Sequence, residues 1–212
     1  MQSYKTYFTN KKFLLSFLCG LILLATSLVV QFLASGYVAR SGSAPVTDVV
    51  LSNTRVYEVG GIFVWGSVIL TFICLWVLFR RPNYMPFVMK SIAIFTLIRS
   101  GFISLTHISP FPTRVLIDST FFTREAFSGI FTGNDLFFSG HTGVPFLLAL
   151  IFWENKTLRI IFFSFSIIFA IVVLLGHLHY SIDVLSAYFI TFTIFHICKF
   201  LFKKDWQLFL KK

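Results

Sequence analysis

The run LRIIFFSFSIIFAIVVLLG, residues 158–176, decides how this chain folds. Its only charged side chain is Arg159, close to its beginning. A helix needs about 20 predominantly apolar residues to cross the hydrocarbon core of a bilayer. The run has that length, and it therefore predicts a transmembrane helix.

Similar runs lie on both sides of it along the chain. The predicted spans are 13–34, 57–79, 85–105, 143–154 with its polar entry, 158–176 and 182–202. The fourth is the shortest, and it reaches full length only if it begins around Phe137–Thr142. The first resembles a signal peptide, but its apolar stretch is too long for one, which favours an uncleaved span. We predict an all-α protein with six transmembrane helices, forming one membrane domain over residues 1–212.

The composition agrees with lipid as the solvent for most of the chain. Hydrophobic residues make up 57% of the 212 positions and charged residues only 12%, with 29 phenylalanines. A soluble domain carries roughly 25% charged residues. The net charge of +10 is spread between the apolar runs and forms no patch, which argues against nucleic acid as a partner. The three cysteines lie inside apolar runs, so they predict no extracellular disulfide framework.

The basic residues predict the orientation of the chain. Twelve of them fall at the N-terminus, in the turns near residues 80 and 156, and in the tail, whereas the alternate loops hold four. Positive charge marks the cytoplasmic side of a membrane protein. We therefore expect both termini in the cytoplasm, and residues 35–56, 106–141 and 177–182 on the extracytoplasmic side. The basic tail from Lys203 to Lys212 is interpreted as an interfacial anchor.

Two polar clusters lie at the predicted extracytoplasmic ends of spans, where ionisable side chains are costly and usually functional. They cover residues 134–142 and 177–183. In the second, His179 and Asp183 are four positions apart and would share one face of a helix. A carboxylate beside an imidazole fixes its tautomer and raises the basicity of the far nitrogen. His179 is thus a candidate nucleophile or general base, although such a pair alone can also be structural.

The first cluster supplies groups that the pair lacks. Gly140 permits close approach of the backbone to a ligand, and Thr142 is a plausible N-cap with Pro145 in the first turn. A helix that begins there would direct free N–H groups at an anion. His141 could donate a proton to a leaving oxygen. Together the two clusters contain the groups needed for phosphoryl transfer through a phosphohistidine.

These motifs resemble the type 2 phosphatidic acid phosphatase superfamily, and within it the sphingomyelin synthase and ceramide phosphotransferase branch. The similar stretches are Gly133 to Thr142, read as Gly-Asn-Asp-Leu-Phe-Phe-Ser-Gly-His-Thr, and His177 to Val184, read as His-Leu-His-Tyr-Ser-Ile-Asp-Val. Pro45-Val46-Thr47-Asp48 and the segment from Arg99 to Pro112 are similar to further segments of that branch. The Lys-x6-Arg-Pro motif of the superfamily's phosphatases is absent, which favours phosphodiester transfer because a dianionic monoester needs more cations.

The resemblance implies a role for each matched residue. His179 would attack phosphorus with Asp183 orienting it, while His141 would protonate the departing lipid alcohol and then deprotonate the acceptor hydroxyl. The substrates would be membrane lipids, and no cofactor or metal is expected. The predicted phosphate-binding residues are Ser139, Gly140, Thr142 and Arg99, and the predicted supporting residues are Asp135, His177, Tyr180 and Asp48.

Other interpretations of the same residues remain open at this point. A lipid phosphate phosphatase would use the same three side chains with water as the acceptor. A transporter or non-catalytic lipid-binding protein could keep polar residues for a pathway, and the histidines with Asp183 could form a zinc site. His177 is expected to be structural, and Lys90 is expected to reach the cytoplasmic interface by snorkelling.

Overall fold

The computed structural model describes residues 4–41, 43–116 and 136–210. All regular secondary structure in these ranges is helical, which confirms the all-α prediction. The longer helices are α1 (Lys11–Ser41), α2 (Gly60–Arg80), α3 (Met85–Thr106), α4 (Gly140–Ile151), α5 (Lys156–Leu175), α6 (Ser181–Leu201) and α7 (Lys203–Leu210). Short helical turns lie at Tyr4–Phe8, Val49–Ser52 and Pro82–Tyr84.

Within the described ranges, five helices are long and apolar enough to cross a membrane. They correspond to the first, second, third, fifth and sixth predicted spans. The fourth differs in length: α4 has 12 residues, about 18 Å of helix, and begins at Gly140, within the predicted polar entry Phe137–Thr142. Eight of its residues are buried. Neighbouring helices surround α4, so its length need not match the bilayer as that of a lipid-facing helix must.

The core forms around α4 and is rich in phenylalanine. α4 packs against α5 and α6 and touches α3, while α1 lies along α3. Five phenylalanines in and around it are almost completely inaccessible: Phe87, Phe95, Phe138, Phe162 and Phe169. The outward faces of α1 and α2 are largely exposed and apolar, as expected of helices that face lipid.

One end of the bundle, called here the basal end, holds the N-terminal turn, the Pro82–Tyr84 turn and α7. Asn83 donates from its amide nitrogen to the carbonyls of Leu208 and Phe209, both at 3.5 Å. The Trp206 ring packs against Phe87, with 4.9 Å between centroids. The tail predicted as an interfacial anchor is therefore docked on the bundle through its aromatic residues.

Lys90 corrects another expectation at this end. Its side chain does not extend to the interface: the residue is 8% exposed, and its Nζ lies 2.6 Å from Asp205 Oδ2 and 2.7 Å from Ser16 Oγ. Ser16 Oγ in turn donates to Asp205 Oδ1 at 2.5 Å. α7 folds back against α3 and brings a carboxylate to the lysine, which removes the need for snorkelling.

The opposite end, called the histidine end, holds the turn between α5 and α6 together with two connecting segments. Residues 43–59 and 107–116 hydrogen-bond to this turn through the backbone: Tyr57 N–H donates to Leu175 O, and Val115 N–H donates to Gly176 O, both at 2.9 Å. Ser43 N–H donates to His107 O at 3.0 Å and joins the two segments. The two predicted polar clusters meet at this end.

Candidate active site

The turn between α5 and α6 fixes the position of His179. α5 ends in a Schellman motif: His177 N–H donates to Leu174 O at 3.1 Å, and Leu178 N–H donates to Val173 O at 2.8 Å. His177 takes the left-handed conformation, φ 52°, that this motif requires. The chain then reverses and α6 begins at Ser181. His179 is thus held on a short connection between two anchored helix ends.

His179 and Asp183 form a buried pair. His179 Nδ1 lies 3.2 Å from Asp183 Oδ2, and Asp183 has no exposed surface. The contact differs from the predicted one, because His179 precedes α6 and shares no helix face with Asp183. Asp183 is the third residue of α6, and its Oδ2 reaches back to accept the Tyr180 N–H at 3.0 Å, as in a capping box. With Nδ1 engaged, His179 directs Nε2 away from the carboxylate.

A backbone hydrogen bond joins the two clusters. Ser139 N–H donates to the carbonyl of Asp183 at 3.0 Å, so the start of α4 is fixed against the first turn of α6. Ser139 is also the N-cap of α4, since its Oγ accepts the Thr142 N–H at 3.4 Å. Thr142 was predicted as the N-cap and is not. Pro145 consequently lies inside the helix, beyond its first turn.

His141 is the second residue of α4 and is half-buried. Its ring lies between α2 and α5, with centroid distances of 4.1 Å to Phe63 and 5.7 Å to Phe169. Phe63 also packs against the apolar cluster that contains Val184, next to Asp183 in the chain. Both predicted catalytic histidines therefore lie at the histidine end of the bundle.

Arg99 lies beside the start of α4, although it comes from α3. It is 8% exposed, and its Nε donates to the carbonyl of Phe138 at 3.1 Å. A Cβ placed on Gly140 would lie 3.4 Å from that nitrogen, so the guanidinium packs directly on the glycine backbone. The N-terminus of a helix carries a partial positive charge. A guanidinium beside it concentrates positive potential where an anion would bind.

Ser139 and Thr142, the other two predicted phosphate ligands, are more deeply buried than Arg99 and Gly140. Thr142 has no exposed surface, its N–H is used by Ser139, and its carbonyl accepts the Ser166 hydroxyl at 2.8 Å. Ser139 is also fully buried. These contacts position α4, and direct phosphate binding by Ser139 and Thr142 stays a prediction.

Three of the four predicted supporting residues hold the turn in place. His177 Nδ1 lies 2.6 Å from Thr113 Oγ1, and its ring packs edge-on against Phe111. The Tyr180 hydroxyl donates to Ser109 O at 2.8 Å and accepts the Val46 N–H at 3.3 Å. A cavity of about 430 Å³ adjoins His177. Asp135, the fourth residue, lies outside the described ranges.

Asp48 joins the segment 43–59 to the start of α6. Its Oδ1 caps the Val49–Ser52 turn, and its Oδ2 accepts the Ser181 N–H at 2.7 Å. Burial alone would raise the pKa of Asp48, but hydrogen bonds from Leu51, Ser181 and Val50 hold it below its ordinary value. Asp48 is therefore charged at neutral pH, and it contributes a second carboxylate to the N-terminal turn of α6.

One of three comparisons with known proteins gave a match, and it covers the three candidate catalytic residues. The family model described as PAP2 superfamily C-terminal matches residues 132–200, which include His141, His179 and Asp183. This match supports the type 2 phosphatidic acid phosphatase superfamily. Comparisons with curated proteins and with solved structures gave no significant match. The match thereby also supports an enzyme of the lipid phosphatase or phosphotransferase type.

The arrangement contains what such chemistry needs. Phosphoryl transfer through a side chain requires a nucleophile, a proton donor and a positive site for phosphate oxygens. His179 with Asp183, His141, and Arg99 beside the start of α4 match these needs. Within residues 4–41, 43–116 and 136–210, no group of three or more His, Cys, Asp or Glu side chains is placed to hold a metal ion.

Two contacts of the site were not predicted from the sequence. The Phe63 ring of α2 packs at a tilt against the His141 ring, and Thr113 hydrogen-bonds with His177. A phenylalanine among 29 carries no signal of its own, and a threonine in a loop carries little. Only the packing of α2 against α5 and the path of residues 107–116 identify them.

Proposed function

We propose that this chain is an integral membrane enzyme that transfers a phospho-head group from one lipid to a hydroxyl acceptor through a phosphohistidine. The observation that carries the proposal is the buried His179–Asp183 pair, joined through Ser139 to the helix that bears His141. His141 and the pair, 38 positions apart along the chain, thereby lie at the same end of the bundle. The reaction resembles that of the sphingomyelin synthases, and no cofactor takes part in it.

The first step forms the covalent intermediate. The lone pair of His179 Nε2 attacks the phosphorus of the donor phosphodiester, and the bond from phosphorus to the lipid oxygen breaks. His141 gives its proton to that oxygen, so the lipid alcohol leaves neutral. Asp183 stabilises the positive charge that develops on the His179 imidazole. Arg99 and the start of α4 face the phosphate oxygens during this step.

The second step reverses these roles. His141, now neutral, removes the proton from the acceptor hydroxyl, whose oxygen attacks the phosphorus. The bond from phosphorus to Nε2 breaks, and its electron pair returns to His179. The head group is then attached to the acceptor lipid. Ceramide and diacylglycerol both carry a suitable primary hydroxyl.

Water in place of the lipid alcohol would make the same site a lipid phosphate phosphatase. The missing Lys-x6-Arg-Pro motif favours transfer. A phosphomonoester dianion is bound best by several cations, and the described part of the site contains one guanidinium beside the start of α4. A phosphodiester carries one negative charge and needs fewer.

The topology that accompanies this proposal has six crossings, with both termini in the cytoplasm. α4 supports the sixth crossing: it begins beside Asp183 at the histidine end, and Phe152, its C-cap, packs against Tyr84 at the basal end. The excess of basic residues in basal segments supports a cytoplasmic basal end. The site would then open towards the extracytoplasmic leaflet and draw its lipids from there.

The deciding experiment follows the head group. Purified protein is incubated with phospholipids labelled in the head group, with and without ceramide, and the products are separated. Label on the added lipid alcohol supports transfer, whereas inorganic phosphate from a phosphatidic acid substrate supports the phosphatase. Loss of activity with EDTA and its recovery with zinc would contradict the phosphohistidine mechanism.

A non-catalytic role is tested with the same material. A lipid-binding or transport protein would bind or move lipids equally well after His179→Ala, and would give no product with any donor. Label trapped on the wild-type protein, acid-labile and absent from His179→Ala, would instead identify the covalent intermediate.

A further inference from the structure

A second cavity lies at the basal end, on the opposite side of the bundle from the histidines. It measures about 540 Å³, and its walls come from the end of α4, the last turns of α6 and α7. Lys199 lies sixteen positions after Asp183 on α6, about 24 Å along the helix. The cavity is therefore separate from the candidate active site.

The walls of this cavity suit an acyl chain. Leu150 and Phe195 form its buried side, and Phe192 and Trp206 form its more open side. Burying a hydrocarbon chain against such surfaces is favourable by about 0.8 kcal/mol per methylene in water, although lipid tails in a bilayer gain less. Apolar walls alone would thus bind any lipid weakly, and selectivity must come from the rim.

The rim carries one charge of each sign. Lys199 and Glu154 both line the cavity, and no ion pair joins them. The Lys199 Nζ is held over aromatic rings, 5.2 Å from the centroid of Phe195 and 5.0 Å from that of Trp206. Glu154 is exposed. A lysine and a glutamate at the mouth of an apolar cavity complement a head group that carries both charges.

We infer that this cavity binds a zwitterionic phospholipid whose head group ends in a primary ammonium. The phosphate would bind Lys199, the ammonium would bind Glu154, and an acyl chain would lie along the wall formed by Phe192 and Trp206. A primary ammonium donates hydrogen bonds to a carboxylate, which a quaternary ammonium does not. The site would take its lipid from the leaflet opposite to the one that serves the histidines.

Binding at this site would also stabilise the docked tail. Trp206 is part of the cavity wall, and it follows Asp205, which pairs with Lys90, in the chain. A ligand that contacts Trp206 only when α7 is docked favours the docked state by mass action. Occupancy should therefore raise the thermal stability of the protein, without any need for turnover.

The experiment compares three lipids on delipidated protein in detergent. Phosphatidylethanolamine, phosphatidylcholine and phosphatidylglycerol with identical acyl chains are titrated, and bound lipid is counted by native mass spectrometry while thermal unfolding is followed in parallel. We expect phosphatidylethanolamine to bind most tightly and to raise the unfolding temperature most. Lys199→Gln should weaken its binding by about tenfold, the effect of one charge-assisted hydrogen bond.

Separate variants of Lys199 and Glu154 test the contribution of each charge. Glu154→Gln should remove the preference for phosphatidylethanolamine over phosphatidylcholine while phosphatidylglycerol binding is kept or improved. Lys203→Gln, an exposed lysine on the same tail that does not line the cavity, is the matched control and should change nothing. Equal binding of all three lipids, or tighter phosphatidylglycerol binding by the wild type, would overturn the inference. Native mass spectrometry counts folded protein only, so a poorly folding variant cannot imitate the result.

Discussion

The two ends of this bundle each contain a buried ionic pair, and the two pairs are built differently. In the basal pair both charged groups are engaged: Lys90 donates to Asp205 and Ser16, and both oxygens of Asp205 accept a hydrogen bond. At the histidine end, Asp183 bonds His179 and the Tyr180 N–H through Oδ2 alone. Its Oδ1 is buried and has no partner within the described ranges.

This difference in hydrogen bonding indicates a structural role for the basal pair and a catalytic role for the pair at the histidine end. A buried ion pair with all its hydrogen bonds made holds helices together, and removing one partner leaves an uncompensated charge. A pair that leaves one imidazole nitrogen directed elsewhere is not complete in itself. A catalytic role is one of the explanations for a buried polar atom that lacks a partner in a native protein. We therefore expect mutations at the basal end to lower stability and mutations at the histidine end to lower activity.

The largest expected effect is on turnover at the histidine end. His179→Ala removes the proposed nucleophile and should lower kcat by at least about 10³-fold, with no comparable loss of stability. His177→Asn is the matched control two positions away. Asparagine tolerates the left-handed conformation of residue 177, so this variant should keep activity within about tenfold of the wild type.

The measurement is product formation per folded molecule from a head-group-labelled phospholipid. If both variants lose activity equally, the turn as a whole matters and His179 has no special role. If neither does, the phosphohistidine proposal is wrong.

The basal pair should show the reverse pattern. Lys90→Met leaves Asp205 buried without its cation, and we expect a loss of about 3–5 kcal/mol in the free energy of unfolding. The double variant Lys90→Met with Asp205→Leu should recover most of that loss, because no buried charge remains. Both quantities are measured by unfolding in mixed detergent. Activity per folded molecule should stay unchanged, and a large fall in kcat would show that the two ends are coupled.

Arg99 tests whether the positive potential at the start of α4 serves phosphate. Arg99→Lys keeps the charge but loses the planar guanidinium that packs on Gly140, and we expect kcat/KM to fall by about tenfold or more. Arg55→Lys, an exposed arginine in a connecting segment at the same end, is the control and should be neutral. A variant at position 99 that loses stability but keeps kcat/KM would assign Arg99 to packing around Phe138.

Much of the fold could be predicted because lipid imposes simple rules on sequence. Five of the six predicted spans correspond to helices long enough to cross a membrane. The fourth was predicted in the right region with its polar entry, but its N-cap was placed at Thr142 because Ser139 was not recognised as the cap. Lys90 was misjudged for a related reason. Its partner Asp205 is 115 positions away in the chain, and a hydropathy pattern does not predict contacts between residues so far apart.

The candidate site could be located from sequence, whereas its geometry could not. The pairing of His179 with Asp183 was expected from helical spacing, yet it arises from a helix start at Ser181. Two residues four positions apart can meet on one face of a helix or across the start of a helix. The spacing alone does not distinguish these two arrangements. The neighbours that hold His141, Arg99 and His177 come from α2, α4 and residues 107–116. Contacts between segments so far apart in the chain cannot be predicted from the periodicity of a single sequence.

The smallest expected effect is the pH dependence of the stability that Asp48 contributes at the histidine end. Because hydrogen bonds lower the pKa of Asp48 in the folded protein, its charge stabilises the fold at pH values above the pKa of the unfolded chain, about 4. That stabilisation is lost as the pH falls through the lower, folded pKa. Asp48→Asn should therefore cost about 1 kcal/mol at pH 7, because it replaces charge-assisted hydrogen bonds by neutral ones, and progressively less below pH 4.

The measurement is thermal unfolding of both proteins between pH 3 and pH 7. Glu58→Gln, an exposed acid of the same segment, should lie parallel to the wild type throughout. A difference between Asp48→Asn and the wild type that stays constant with pH would mean that the charge of Asp48 contributes nothing beyond its hydrogen bonds. The start of α6 would then be held by geometry alone, and Asp183 would be the only carboxylate there whose charge matters.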